Sequence, residues 1–383
     1  MAGLIDFISR KLFSTPEAIK EPDALRIGIL GAASIAPAAL INPARSHPGV
    51  VITAVAARDR TRADKFAKQH GIQKVYASYQ ELLDDPSIDA VYNPLPNGLH
   101  YEWTLKAIKA GKHVLLEKPS CNRAEETRRV FDYAKEKGVV VLEAFHYRFH
   151  PSAHRLRQIV SSGELGTIQS LKGALTLPRG IVGADDIRYN YSLGGGSLMD
   201  GGTYPVSFVR FLTFAEPVSI TSAHARPAPD ARVDVGTIAT LAMPGDVSAT
   251  IECDMALPPR FWIVPRMFDM GMTVKGDKGE ATLFNFVLPM LYHYITVKTK
   301  DGKSRTEKVY VPPSTEGEWE CWPKAEASWS TYRYQLEAFV DKIQGRKPHY
   351  WVEADDSVKQ MEAIEQIYAK SGLGSRPAST FVL

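Results

Sequence analysis

The sequence predicts an α/β protein with two domains: a doubly wound parallel sheet first, then an α+β domain with an open, mostly antiparallel sheet. Two observations support this prediction. Short apolar runs alternate with helix-like segments over residues 25–146, as in repeated strand–helix–strand units. Beyond residue 149 the apolar runs follow one another with few helices between them. A length of 383 residues also favours two domains, which we place at 25–148 and 149–383.

Five apolar runs of the first domain are predicted to be strands: "LRIGIL" (25–30), "VITAVAA" (51–57), "AVYNPL" (90–95), "HVLLE" (113–117) and "VVVLEAF" (139–145). Helices are expected between them at about 61–70, 101–110 and 123–137, and Ser34 is a candidate cap for a helix after the first strand. Because such strands run parallel, ligands are expected at their carboxyl ends.

The second domain is predicted to begin with a helix at about 150–161 and to contain another at about 197–212. Strand-like runs accompany them: "TIQSLKGALTL", "VSITSAHAR", "VGTIATLAM" and "VSATIECDM". Amphipathic helices at 328–343 and 355–371 close the chain and are expected to pack back toward the first domain.

Residues 1–24 are predicted to form an arm outside both domains. Its apolar residues share one face if the arm is helical: Leu4, Ile5, Ile8 and Leu12. Asp6 and the short apolar stretch argue against a signal peptide. Docking on the protein or on a partner is the simpler interpretation, and contact with a membrane surface is the alternative.

The composition argues against several classes of function. The net charge of +3, without a basic run that contains aromatic residues, gives no support for nucleic-acid binding. Cys121, Cys253 and Cys321 lie far apart, so we expect no disulfide framework, no metal site and a reducing, cytoplasmic compartment. No apolar run is long enough to cross a bilayer.

The turn after the first strand has the pattern of a dinucleotide-binding loop. In "GAASIA", Gly31, Ala33 and Ala36 occupy the glycine positions of G-x-G-x-x-G, with Ser34 and Ile35 between them. A pyrophosphate needs close backbone approach and a free helix N-terminus, which small residues allow. Ordinary tight turns also use small residues, so the preceding strand and the following helix favour a Rossmann-type site more than the motif alone does.

The end of the second strand bears on the choice of cofactor. Arg58 is the first polar residue there, and Asp59 follows it. An acidic residue at this place binds the ribose hydroxyls of NAD, whereas a guanidinium suits the 2′-phosphate of NADP. We predict NADP, while Asp59 leaves NAD open and a solvated helix start is the alternative.

Glu117 and Lys118 end the strand "HVLLE", and Pro119 favours an extended backbone at Lys118. A lysine held in a cleft at this edge of the sheet suits proton exchange. From the spacing alone, a strand-end lysine that reaches solvent is the commoner case.

Four segments together resemble the Gfo/Idh/MocA oxidoreductases: "GILGAASIA", "EKPSCN", "LEAFHYRFHP" and "GGGSLMDGGTYPV". The resemblance extends from about residue 25 to the end and implies that Lys118 is the catalytic lysine, with Glu117 beside it at the nicotinamide. The stretch "AVAARDRTRADKFAKQHGI" is similar to the branch of dimeric dihydrodiol dehydrogenases and NADP-dependent D-xylose dehydrogenases. This branch implies NADP and at least a homodimer formed through the open sheet.

In the second domain, Asp200, Gly202 and Tyr204 match D-x-G-x-Y, and a helix would place Asp200 and Tyr204 on one face. The resemblance implies that Tyr204 cooperates with Lys118, and we expect the nearby cation to lower the pKa of Tyr204. Asp200 is expected to orient a sugar hydroxyl or the lysine. From the residues alone, a buried tyrosine whose hydroxyl is satisfied is the favoured interpretation of Tyr204.

The domain junction supplies the remaining candidates. His146, Tyr147 and Arg148 are predicted to bind substrate, although the branch usually has tryptophan where His146 stands, so its particular substrates do not transfer. A core or hinge role for His146 is the alternative. By resemblance, the end of the strand "AVYNPL" and the loop after it line the ribose and nicotinamide with Asn93, Pro94, Leu95, Asn97 and His100.

These residues favour an NADP-dependent dehydrogenase or reductase that acts on a sugar, a polyol or a trans-dihydrodiol. Lys118, Asp200 and Tyr204 are the predicted catalytic residues, and no metal is expected. A non-catalytic dinucleotide-binding regulatory protein and an NAD-dependent glycosidase are the alternatives.

Overall fold

A computed structural model describes residues 17–259, 261, 266–314 and 316–383. The predicted amphipathic helix with Leu4, Ile5, Ile8 and Leu12 lies outside the described residues. The described chain contains one six-stranded and one eight-stranded sheet. The predicted fold class, a parallel α/β domain followed by an α+β domain, is confirmed.

Six parallel strands form the first sheet, in the order β3-β2-β1-β4-β5-β6. The strands are β1 Leu25–Leu30, β2 Val50–Ala56, β3 Lys74–Tyr76, β4 Ala90–Asn93, β5 His113–Leu116 and β6 Val141–Glu143. The strand order reverses between β1 and β4, and in doubly wound sheets this switch point opens the ligand crevice at the carboxyl ends of the strands.

Helices connect these strands: α1 Asn42–Arg45, which continues a π-helical turn over Pro37–Ile41, then α2 Arg60–His70, α3 Tyr79–Asp84, α4 His100–Lys109 and α5 Ala124–Lys137. Strand β3 and helix α3 were not predicted, because segments of 3 and 6 residues are too short for a periodic pattern. The expected cap at Ser34 is wrong, since the helix starts after Ala36 and no side chain caps it.

The second sheet has the order β14-β13-β12-β11-β7-β10-β9-β8. Its strands are β7 Ile168–Pro178, β8 Ser219–Pro227, β9 Asp234–Met243, β10 Val247–Leu257, β11 Met272–Gly276, β12 Gly279–Phe284, β13 Tyr294–Thr299 and β14 Ser304–Glu307. Neighbouring strands are antiparallel except β7 and β10, which pair in parallel. The chain returns to β7 only after a helix and two further strands, and such a crossover permits parallel pairing.

The described part of the second domain contains four α-helices: α6 Pro151–Ser161, α7 Thr203–Thr213, α8 Thr331–Ile343 and α9 Ala354–Ser371. Helices α6, α7 and α9 pack on one face of the sheet, and α9 also packs against α5 of the first domain. The opposite face is partly exposed and carries a row of aligned threonines: Thr240, Thr250, Thr273, Thr282, Thr296 and Thr306. This is the alternation of an antiparallel sheet with one packed face.

Candidate active site

Lys118 lies in the cleft between the two domains. It is the second residue after β5, and its peptide bond to Pro119 is cis. The side chain crosses to the second domain, where Nζ donates to Asp200 Oδ1 at 2.9 Å and to the Asp200 carbonyl oxygen at 3.0 Å. The Lys118 side chain is 9% exposed. The structure therefore brings two predicted catalytic residues, 82 positions apart in sequence, into direct contact.

Asp200 is held as a carboxylate between two cations. Its second oxygen, Oδ2, accepts a hydrogen bond from Arg188 Nε at 2.5 Å, and Arg188 also pairs with Asp186 at 3.0 Å. Burial opposes ionisation of Asp200, but Lys118 and Arg188 outweigh it and hold the pKa of Asp200 well below its usual range. Sequence reasoning missed Arg188, which lies in a 3-10 turn of the loop between β7 and α7 and has no periodic signal.

The phenol of Tyr204 is neutral. Lys118 Nζ lies 4.9 Å from the centre of the Tyr204 ring, and the hydroxyl lies 3.0 Å from His146 Nε2. Burial first, then Tyr332, Glu117 and the other neighbouring acidic groups, raise the pKa of Tyr204 well above its usual value. The expectation that Lys118 lowers this pKa is therefore wrong, because desolvation and the nearby acidic groups outweigh one cation.

Glu117 makes its hydrogen bonds within the first domain. Its Oε1 accepts a hydrogen bond from the Tyr92 hydroxyl at 2.6 Å, and its Oε2 accepts one from the Lys118 N–H at 3.3 Å. Burial raises the pKa of Glu117, although Tyr92 and Lys118 act against this rise. The carboxyl group thus helps to fix the position of the Lys118 backbone.

The turn after β1 fits a pyrophosphate. Gly31 adopts φ +92°, and a Cβ there would lie 3.1 Å from Leu95 Cδ2, so a side chain would be both strained and crowded. Ser34 and Ile35 are exposed, and no side chain caps the helical turn that follows. Exposed backbone at an uncapped helix start is the usual environment of a bound phosphate group.

Arg58 and Arg62 follow β2, the strand that pairs with β1 beside this turn. The Asp59 carboxylate accepts a hydrogen bond from the Arg62 N–H at 3.0 Å and thereby caps α2. Arg62 Nη2 donates to the Ala32 carbonyl at 2.9 Å, whereas Arg58 is exposed beside the Tyr79 hydroxyl. Asp59 thus serves as the N-cap of α2. The guanidinium of Arg58 lies at the edge of the crevice at the carboxyl ends of the strands.

The predicted cofactor residues after β4 mainly hold their own loop. Asn93 Nδ2 donates to Thr104 Oγ1 at 3.0 Å, and Asn97 Nδ2 donates to the Gly194 carbonyl of the second domain at 3.0 Å. The ring nitrogens of His100 lie 2.7 Å from the Leu95 carbonyl oxygen and 2.9 Å from that of Pro119. These contacts fix the segment with Pro94 and Leu95 between the Gly31 turn and Lys118.

The three predicted substrate residues, His146, Tyr147 and Arg148, have different surroundings. Tyr147 and Arg148 are buried in the second domain, where the Tyr147 hydroxyl lies 2.8 Å from Ser207 Oγ and Arg148 pairs with Asp356. Both side chains are buried and bonded to residues of the second domain, so the geometry does not support a contact with substrate. The rings of Tyr147 and His146 both contact the Tyr204 ring, with centres 5.9 and 5.6 Å away, but of the three residues it is His146 that lies within hydrogen-bond distance of the Tyr204 hydroxyl.

Glu143, at the end of β6, makes the free energy of unfolding depend on pH. Its Oε1 accepts a hydrogen bond from the Ser120 N–H, two residues after Lys118, at 2.8 Å. Burial raises the pKa of Glu143 from 4.5 to about 7. The folded chain therefore keeps a proton that the unfolded chain releases, so this stabilisation is complete below the unfolded pKa and is lost as the pH rises through the folded pKa.

We expect Glu143→Gln, which cannot ionise, to flatten this pH dependence. From pH 4.5 to pH 8 the free energy of unfolding of the parent should fall by roughly 1–3 kcal/mol more than that of the variant. Urea unfolding at both pH values measures the difference. Glu125→Gln, at an exposed position of α5, is the control and should follow the parent. Equal slopes for parent and Glu143→Gln would contradict the assignment.

Both domains match known protein families. Residues 25–145 match the GFO/IDH/MocA oxidoreductase family with its NAD-binding Rossmann fold. Residues 153–282 match the GFO/IDH/MocA C-terminal domain.

Several characterised proteins are similar over most of their length. The D-xylose 1-dehydrogenase (NADP(+)) 2 of Haloferax volcanii is 36% identical over 92% of this chain and 98% of its own. The trans-1,2-dihydrobenzene-1,2-diol dehydrogenase of Macaca fuscata fuscata is 31% identical over 68% of this chain and 75% of its own. A 3-ketoreductase from Actinomadura kijaniata, solved with NADP and TDP-benzene, superposes with a TM-score of 0.76 at 26% identity, covering 91% of this chain and 98% of its own.

Proposed function

This chain belongs to the GFO/IDH/MocA oxidoreductase family, and from this premise we propose that it is an NADP-dependent dehydrogenase or reductase. Its substrate is a sugar, a polyol or a trans-dihydrodiol that reacts at a carbinol or carbonyl carbon. The observation that carries the proposal is the contact of Lys118 with Asp200 and with the Tyr204 ring, in the cleft beside the Gly31 turn.

Lys118 is the proposed acid/base group. Asp200 accepts two hydrogen bonds from its ammonium, through the carbonyl oxygen and Oδ1, and so directs the side chain into the cleft. In reduction, Lys118 donates a proton to the substrate oxygen, and in oxidation the deprotonated amine accepts one. NADP, when bound, supplies or accepts the hydride. Tyr204 and Asp200 orient the substrate and the lysine.

NADP is preferred over NAD because of the groups that border the adenosine end of the crevice. Oδ1 of Asp59 accepts the capping hydrogen bond of α2, which holds this carboxylate at the start of the helix. Arg58 is exposed at the end of β2, where a 2′-phosphate would lie.

We expect Arg58→Ala to weaken NADP binding by about ten- to a hundredfold, since a charge-assisted contact contributes roughly 1.5–3 kcal/mol. NAD binding should change little. Titration of both cofactors by calorimetry measures the two effects. Arg60→Ala is the matched control, because Arg60 pairs with Asp64 on the surface of α2 at 3.0 Å. An equal loss for NAD and NADP, or a parent that prefers NAD, would overturn the phosphate assignment.

A substrate screen tests the whole proposal. Aldoses, polyols and trans-dihydrodiols are incubated with each cofactor, and the absorbance of the reduced nicotinamide is followed. Turnover with NADP supports the dehydrogenase. Tight cofactor binding without turnover would indicate the regulatory protein instead. Cleavage of a glycoside without net change in absorbance would indicate the NAD-dependent glycosidase.

A homodimer or higher oligomer in the cytoplasm completes the proposal. The uncovered sheet face that carries the threonine row also exposes Ile238 at 47% and Phe284 at 40%, a surface suited to a second copy. The cysteines are unpaired, as in a reducing compartment. Among the described residues, every helix is too short or too polar to cross a bilayer. Light scattering after gel filtration gives the oligomeric state.

A further inference from the structure

Tyr204 is the start of a buried chain of hydrogen bonds that leads away from the cleft. Its hydroxyl lies 3.0 Å from His146 Nε2, and His146 Nδ1 lies 2.8 Å from Thr331 Oγ1. The three residues come from α7, from the 3-10 turn before α6 and from the first position of α8. Tyr204 is 7% exposed, His146 1% and Thr331 0%.

The hydrogen bond made by Thr331 determines which atoms donate in the bonds between Thr331, His146 and Tyr204. The Thr331 hydroxyl has one hydrogen and lies 3.8 Å from the sulfur of Met290 in donor geometry. With the hydrogen directed to this sulfur, the Thr331 oxygen is left as an acceptor for His146. Nδ1 of His146 then carries the hydrogen, and a neutral imidazole with hydrogen on Nδ1 has only an acceptor at Nε2. The Tyr204 hydroxyl therefore donates to His146.

His146 is neutral in this environment. Burial, together with the ammonium of Lys118, lowers the pKa of His146 to about 3. The other titratable groups packed against its ring are Tyr204 and Tyr332, whose ring centre lies 4.1 Å from that of His146. Burial raises the pKa of both phenols, so neither supplies a negative charge to His146. A proton moved from Tyr204 to His146 would create a second buried cation beside Lys118.

We propose that His146 is a positioning residue that holds the hydrogen of the Tyr204 hydroxyl. The Tyr204 oxygen then presents an acceptor to a substrate hydroxyl, and Lys118 alone carries the proton of the reaction. This inference rests on the proposed function for its catalytic consequence, but the tautomer of His146 follows from the hydrogen bonds of the free protein.

The tautomer is tested first, without cofactor or substrate. Long-range proton–nitrogen NMR of the histidine rings distinguishes the Nδ1–H tautomer, the Nε2–H tautomer and the imidazolium, and the missing signal of His146→Gln assigns His146. We expect a neutral Nδ1–H ring from pH 5 to pH 8. Tyr204→Phe should shift the Nε2 resonance, whereas Tyr332→Phe, which removes a stacked phenol hydroxyl, should leave the tautomer unchanged. An Nε2–H ring or an imidazolium would overturn the proposal.

A double-mutant cycle then tests the catalytic role. We expect His146→Phe to lower kcat by about 5- to 10-fold, the scale of one hydrogen bond, with KM nearly unchanged. His146→Gln, which keeps an acceptor, should recover most of the rate. In a Tyr204→Phe background, His146→Phe should cost nothing further, because His146 acts through the hydroxyl. The same loss in both backgrounds would overturn the positioning role. A parent without activity would reject the proposed function, and the NMR result would still decide the tautomer.

Discussion

Lys118→Met is expected to lower kcat at least about 100-fold, the usual scale for losing a general acid/base group. Methionine keeps most of the side-chain volume but cannot exchange a proton with the substrate oxygen. Asp200 would retain its partner Arg188, so the cleft should keep its shape. The Gly31 turn and Arg58 are untouched, and NADP affinity should therefore stay within a few-fold of the parent. Steady-state kinetics beside a cofactor titration measure the two quantities.

Lys137→Met is the control for this experiment. Lys137 lies on the surface at the end of α5, with its side chain 43% exposed, and pairs with Glu136. Its removal should leave kcat unchanged. A Lys118→Met protein with kcat close to the parent, on any substrate that the parent turns over, would remove Lys118 from the mechanism.

Asp356→Ala is expected to lower the free energy of unfolding by about 3–5 kcal/mol, the range for breaking a buried ion pair. Asp356 pairs with Arg148 and, at 2.8 Å, with Arg210, and both guanidinium side chains are only 2% exposed. Arg210 keeps Glu216 as a partner at 2.6 Å. Arg148 keeps only neutral acceptors such as the Ser207 carbonyl, so its buried charge would lose its compensation. Urea unfolding measures the change.

The neighbouring residue is the control for the second prediction. Asp355 is 67% exposed and pairs with Lys359 one turn further along α9, a type of surface pair that contributes little. Asp355→Ala should stay within about 0.5 kcal/mol of the parent. If both variants unfold at the same urea concentration, the Arg148 and Asp356 pair does not stabilise the fold.

Local patterns were sufficient for much of the fold. Apolar runs predicted β1, β2 and β4 to β6, and the switch from alternating helices to consecutive strands predicted the second sheet. Strand β3 and helix α3 were not predicted because segments of 3 and 6 residues are too short for a hydrophobic period to repeat. The parallel pairing of β7 with β10 is set by a crossover whose path no local pattern records.

Several site residues could be placed from the amino-acid sequence because each one directly follows a predicted strand. Gly31 follows a strand and begins a turn, Arg58 follows the second strand, and Lys118 follows the fifth. Parallel strands bring their carboxyl ends to one edge, so these residues had to share a crevice. The family, and with it the class of reaction, followed from the same segments.

The way in which the second domain completes the site depends on tertiary packing and could not be predicted from the sequence. Arg188 reaches Asp200 from a loop, His146 reaches Tyr204, and Arg148 turns into the core although it lies two residues from His146. The neutral state of Tyr204 likewise results from burial together with acidic groups far away in sequence. Side-chain direction and desolvation depend on every element that packs around a residue, and those neighbours are chosen by the fold as a whole.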